Sequence, residues 1–316
     1  MRSGFLIGLG SGVASAFLSY SATRGTSPLL IVLLGLLTPL PSLIAGFGWG
    51  WLSAAASAAM GALVTGLFAG PMSAAGYFLM LGVPTTMIAY LAYLSRPDPF
   101  DSEAREFYPP GRLTAAIALF AGALPVLFLP LIGGSYEGLR EPIDKELRGL
   151  SQRLPELGMK SLTNEQVQAF TDLFINKLPG ALAAYWLIVF TVNAYLAGRI
   201  ALASGRLARD WPDLPGMTYP VGFPLLLALA VLASYAPGVV GIAGTSFTGA
   251  LLIAYLIAGL ALAHFIARGR APWALWLVYA LLILFGPYAA MAIILGGLVD
   301  AVFKLRQRLG APPPSG

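Results

Sequence analysis

Long apolar runs separated by short polar breaks dominate the chain. Crossing about 30 Å of hydrocarbon takes roughly 20 apolar residues at a rise of about 1.5 Å each. Eight stretches meet or approach that length: 4–20, 28–47, 50–69, 73–94, 113–132, 180–201, 221–238 and 246–267. A ninth, 272–303, is too long for one comfortable span and too short for two. Gly286-Pro287 divides it, with glycine just past one helix and proline opening the next. The pattern predicts an all-α fold: a polytopic transmembrane helical bundle of about eight full spans plus a broken C-terminal helical hairpin.

Breaks and small-residue rows refine the spans. Pro39 and Pro41, in Thr38-Pro39-Leu40-Pro41, remove two amide donors and must kink or break the second span. Pro84, in Gly82-Val83-Pro84-Thr85-Thr86, kinks the fourth beside two hydroxyls that can satisfy the freed carbonyls. Gly4, Gly8, Gly12 and Ala16 fall four apart on the first span, and Ser57, Gly61, Thr65 and Ala69 form a similar row on the third. That spacing places small residues on one helix face, where another backbone can approach closely. Packing within the bundle and docking of a partner subunit both use such a face.

One long loop, 133–179, interrupts the apolar pattern. Leu139, Ile143, Leu147, Leu150, Leu154 and Leu157 recur at helical spacing, with Pro142 suited to a first helical turn and Pro155 closing the segment. Thr163-Asn164-Glu165-Gln166 then forms a capping box, opening a second helix with Val167, Phe170, Phe174 and Leu178 on one face. This amphipathic helical pair either lies on the outer membrane surface as a connector or covers a cavity between spans as a lid. Its six basic and seven acidic side chains nearly cancel, which argues against a polybasic lipid patch.

Composition supports the membrane assignment. The chain is 58% hydrophobic and only 10% charged, beyond the range of a soluble domain of this length. It has no cysteine and a single histidine, His264, so disulfides, thiolate chemistry and imidazole metal clusters are excluded, and no metal or cofactor is expected. The net charge of +5 is scattered between apolar runs, not gathered on a nucleic-acid-binding face. It is a topology signal. With the N-terminus in the cytoplasm, the inner side collects Arg2, Arg96, Arg105, Arg112, Arg199, Arg206, Arg209, Arg268 and Arg270, leaving Arg24 and the long loop outside. Met1-Arg2 and the following apolar residues are expected to be a retained span. The expected location is a bacterial cytoplasmic (inner) membrane.

Candidate chemistry is sparse. No Asp, Glu, Lys or Arg lies between the ends of the apolar segments, which argues against a proton-driven transporter. No Gly-x-Ser-x-Gly, His-Glu-x-x-His, P-loop or clustered Asp motif is present, so no enzyme and no catalytic residue is expected. Asn193, flanked by Thr191 and Tyr195, is the one side-chain amide inside a span and serves either as interhelical glue or as a ligand contact. Tyr185 and Trp186 fit either the interfacial aromatic belt or a cavity mouth. Asn193, Tyr185, Trp186, Tyr195 and Thr85 are the ligand-cavity candidates, around an outward-opening cavity bordered also by the second and fourth helices. Arg199, Asp300 and His264 sit near cytoplasmic ends, where snorkelling or a structural ion pair is the default. Trp211-Pro212-Asp213-Leu214-Pro215 is expected to form a rigid turn.

The run Asn193-Ala194-Tyr195-Leu196-Ala197-Gly198-Arg199, leading to Ser204-Gly205-Arg206 and Trp211-Pro212, and the ending Gly296-Gly297-Leu298-Val299-Asp300 with Arg306 resemble the YybS-like family of bacterial membrane proteins. That family is similar in turn to the S components of energy-coupling factor (ECF) transporters. The resemblance implies a six-span module, 1–204, carrying the amphipathic insertion at 133–179, followed by additional membrane helices and a basic tail over 205–316. It implies a docking face at Gly8, Gly12 and Ala16, a small neutral or amphiphilic solute, and a transmembrane partner with a separate ATPase. The helices after residue 220 have no counterpart in six-helix S components. The rival reading is a non-transport scaffold or assembly protein that docks a partner through small-residue faces.

Overall fold

The computed structural model describes residues 2–24, 27–97, 105–129, 136–268 and 271–310. The end of the expected fifth span (130–132), the start of the long loop (133–135), Arg270 and the last residues of the tail (311–316) lie outside them. The chain forms two compact units, one of Met1–Ile117, Leu187–Val221 and Leu256–Gly316, the other of Ala118–Trp186 and Gly222–Tyr255. Residues 204 and 205 both fall within the Leu187–Val221 segment of the first unit.

In the first unit, α1 (Arg2–Arg24) lies against α4 (Trp51–Ala69). The second span is broken as its prolines require, into α2 (Pro28–Leu37) and α3 (Leu40–Trp49). Hydroxyls satisfy the backbone at the break: Thr38 Oγ1 donates to the Leu34 carbonyl at 2.8 Å, and Ser15 Oγ donates to the Thr38 carbonyl at 2.6 Å. The fourth span comprises α5 (Pro71–Tyr77), a π-helical turn at Phe78–Gly82, and α6 (Val83–Tyr93). Pro84 lacks the amide that would bond back along the helix. Thr85 Oγ1 instead reaches the Leu81 and Gly82 carbonyls at 2.8 and 3.1 Å, and Thr86 Oγ1 reaches Gly82 at 2.8 Å. A two-stranded ribbon, β1 (Ser95–Pro97) and β2 (Arg105–Phe107), leads to α7 (Pro110–Leu127).

The second unit contains α8 (Arg140–Arg153) and the first half of α9 (Asn164–Ala203). The capping box forms as expected: the Thr163 amide donates to Gln166 Oε1 at 2.9 Å, and the Gln166 amide to Thr163 Oγ1 at 3.2 Å. The expected second amphipathic helix and the sixth span are, however, one helix of 40 residues, continuous through Pro179. Leu129 and Ile175 are buried with Leu139, Ile143, Leu178 and Leu182 around them, so packing on both sides of the proline holds the helix together despite its missing donor. At about 1.5 Å per residue the helix is roughly 60 Å long, about twice the hydrocarbon thickness. Its inner face is Val167, Thr171, Ile175 and Leu178; Phe170 and Phe174, expected beside Val167, are 42% and 50% exposed. Arg140 pairs with Asp172 at 2.7 Å, and Arg148 with Asp144 at 2.6 Å.

Among the described residues, seven helices are long and apolar enough to cross a membrane: Ser3–Arg24, Leu29–Trp49, Trp51–Ala69, Pro71–Tyr93, Pro110–Leu127, Asn164–Ala203 and Gly238–Ala267. The expected span 221–238 is not among them. It is α10 (Phe223–Ala233), 11 residues or about 16 Å, too short to cross. After it the chain turns over 234–237, and α11 (Gly238–Ala267) starts at a glycine with φ of 66°, eight residues before the expected boundary. Hydropathy counts apolar side chains and passes over the Pro237-Gly238 punctuation. The last apolar stretch is broken where expected, into α12 (Trp273–Phe285) and α13 (Pro287–Phe303), by Gly286 with φ of 46° followed by Pro287. A short α14 (Leu305–Gly310) follows.

Candidate functional site

The row on α1 is corrected as a free docking face, because α4 of the same chain covers it. An added Cβ at Gly8 would collide with the Ser53 carbonyl, and one at Gly12 with the Ser57 carbonyl; Gly4 lies against Trp49 and Ser53, and Ala16 is buried. The row on α4 is the matching surface. Ser57 Oγ lies 2.7 Å from Ser42 Oγ, and the Tyr77 ring sits on Gly61, its hydroxyl donating to Ser15 Oγ at 2.7 Å.

The ligand-cavity candidates do not converge. Asn193 is fully buried, and its Nδ2 donates to the Leu36 carbonyl at 2.6 Å and the Val189 carbonyl at 2.7 Å, fastening α9 to the turn of α2 just before the proline break. It is interhelical glue. Thr85 is spent on its own helix. Tyr185 and Trp186 belong to the other compact unit, where their rings meet edge-on at 5.5 Å. Only Tyr195 lines the cavity that the first unit contains.

That cavity has a volume of about 630 Å³. Its walls are mainly apolar, with Leu113 and Ile117 of α7, Val192 of α9, and Ile257, Leu260 and Ala261 of α11 among them. The segment 207–217 contributes Trp211, Leu214 and Met217. Few polar groups reach it. Thr191 Oγ1 is buried without a hydrogen-bond partner, and Tyr93 donates to the Phe47 carbonyl. Arg209 Nη1 donates to the Ala92 carbonyl at 2.6 Å and the Tyr108 carbonyl at 3.4 Å, and its guanidinium lies 5.1 Å over the Phe107 ring. Its Nε is buried with no acceptor. Burial pulls this guanidinium below its ordinary pKa, from a starting value so high that it stays charged at neutral pH.

The cavity sits at the end of the bundle where the arginines gather. Arg206 stacks over Trp49 at 4.6 Å, Arg199 over Trp211 at 5.3 Å, and Arg268 pairs with Asp213 at 2.5 Å. Arg209 itself ties the loop after α9 to the end of α6 and to Tyr108. These contacts bring Arg199, Arg206, Arg209 and Arg268 to one end of the first unit. The lining of this cavity comes from the first unit and includes Tyr195 alone of the five ligand-cavity candidates. The sequence reading took 211–215 as a rigid turn and did not foresee that 207–217 walls a cavity. The available signal was Trp211, Leu214 and Met217 interleaved with prolines, apolar side chains that a purely solvated turn does not need.

Asp300 and Arg306 form a second polar feature, a buried ion pair at 3.1 Å. The Arg306 guanidinium also donates to the Met217 and Ala258 carbonyls, so α13 and α14 are clamped to α11 and the 207–217 segment.

Apolar helices of membrane-crossing length, with backbone breaks satisfied by hydroxyls and no strand beyond one short ribbon among the described residues, define a polytopic α-helical membrane protein. The chain belongs to the family described as "Predicted membrane protein (DUF2232)", whose match covers residues 14–301. The YybS-like resemblance is consistent with it. No curated protein and no solved structure matches the chain significantly.

Proposed function

We propose that the chain binds a small amphiphilic solute in the 630 Å³ cavity and is the recognition subunit of a membrane uptake system. The cavity carries this reading, since its volume falls within the roughly 300–1,000 Å³ typical of small-molecule sites and its apolar walls meet only a few polar groups. It also favours binding over the scaffold reading, which needs no internal cavity. Absence of charge between the ends of the apolar segments leaves no side chain to carry a coupling proton, which supports a separate partner with an ATPase as the energy source. The α1 row is occupied, so such a partner docks elsewhere. By the positive-inside rule the basic end is cytoplasmic, so the cavity in this conformation is on the release side of an uptake cycle, and capture requires an outward-facing state.

The test is saturable binding of dodecanol, a neutral single-chain probe, to the full chain in phosphatidylcholine nanodiscs, corrected for empty discs. Ala261→Trp places an indole in the cavity and should weaken binding about tenfold, the effect of losing roughly 1.4 kcal/mol of contact. Equal binding by wild type and variant, or no binding above empty discs, would reject the cavity as the site.

A further inference from the structure

Arg209 borders two spaces. Beside the apolar cavity lies a smaller, polar cleft of about 340 Å³, lined by Arg105, Phe107, Asp210, Asp213 and Thr218 among others. Pro110, Arg209, Trp211, Pro212 and Met217 line both. An apolar chamber thus adjoins a polar one, with a guanidinium at the junction.

The charges at the junction favour an anion. Arg209 and Arg105 both line the cleft, and neither forms a salt bridge among the described residues. Of the two carboxylates there, Asp213 is committed to Arg268 at 2.5 Å, leaving Asp210 opposite two cations. The Arg209 guanidinium is anchored through Nη1 to the Ala92 carbonyl, so it is held in place while its buried Nε lacks an acceptor. A neutral headgroup would leave that charge only partly satisfied. An anionic one gains charge-charge attraction to a guanidinium that the Ala92 and Tyr108 carbonyls already hold in place.

Building on the cavity reading, we infer that the solute is a single-chain amphiphile with an acidic headgroup, its tail in the 630 Å³ cavity and its carboxylate or phosphate in the cleft, held by Arg209 with Arg105 beside it. Arg209 is the specificity-determining residue. Thr191, which lines the apolar cavity and not the polar cleft, meets the tail.

The experiment compares dodecanoate, dodecyl phosphate, dodecanol and dodecyltrimethylammonium on the full chain in phosphatidylcholine nanodiscs at low salt, each corrected for empty discs. Wild type should bind at least one anion about tenfold or more tighter than dodecanol, with the cation weakest. The tighter anion identifies carboxylate or phosphate as the headgroup. Arg209→Gln should bring the anion-to-dodecanol ratio down towards one, while Arg209→Lys keeps part of it. Should Arg209→Gln fail to fold, Arg105→Gln, at an exposed position, should lower the ratio several-fold, and the wild-type ratio stands by itself. Dodecanol binding as tightly as both anions, or a ratio unmoved by Arg209→Gln and Arg105→Gln alike, would overturn the acidic headgroup and leave the cavity reading in place. Loss of all four probes in Ala261→Trp supports the cavity independently of headgroup charge.

Discussion

Asn193 shows how one buried amide is used when no water is available. Its Nδ2 takes two carbonyls, one on its own helix and one across at Leu36. Replacing it with Leu removes the tie to α2 and should lower stability by about 1 kcal/mol, typical of interhelical hydrogen bonds in membranes, read as a lower thermal midpoint in detergent. An unchanged midpoint would mean that the bond contributes nothing. Asp300 and Arg306 are a larger stake, since both are almost fully buried. Asp300→Asn leaves Arg306 unpaired and should cost about 3 kcal/mol, whereas the double replacement Asp300→Leu with Arg306→Leu should recover most of that loss. A double variant no better than the single would show that the pair itself, and not the orphaned charge, sets the cost. Asn193 was legible in the sequence as a residue needing partners. Whether those partners were carbonyls or a ligand depended on what lay opposite, and Leu36 is 157 residues away.

The contact of α1 with α4 is the clearest test at the level of helices. Gly8 and Gly12 lie directly on the α4 backbone, while Gly10, between them in sequence, has open space beside it. Gly8→Leu or Gly12→Leu must push the helices apart and should destabilise by about 1–3 kcal/mol or more, with Gly10→Leu close to wild type in thermal unfolding. Equal effects at all three positions would show that the close approach is not real. The same comparison explains what periodicity can reveal. A row four apart fixes which face is small, but not whose backbone fills it. Likewise the prolines of 39, 41 and 84 and the pair Gly286-Pro287 announced their breaks, because missing donors and fixed φ act locally. Fusion of 164–179 to the sixth span did not announce itself, since it relies on Leu139 and Ile143 packing beside Pro179.

For the whole molecule, the absence of cysteine permits a clean test of sidedness. Thr23→Cys and Ser204→Cys are exposed positions in the same compact unit, at the end of α1 and just after α9 respectively. A membrane-impermeant thiol reagent on intact cells should label Thr23→Cys, and should label Ser204→Cys only after lysis. The reverse pattern would turn the basic end, and its cavity, outward. The sequence by itself determined the all-helical membrane fold, the sites of backbone breakage and the grouping of arginine loops. These follow from local rules: the solvation cost of a bare backbone in hydrocarbon, the lost donor of proline, and the charge bias between the two sides. Only the tertiary structure decided that α4 fills the α1 groove, that Asn193 is glue, and that the cavity of the first unit is lined by Tyr195 and Arg209. A cavity is the space left when distant segments pack, here 110–117, 191–198, 207–217 and 257–264, and no local pattern encodes where such segments fail to touch.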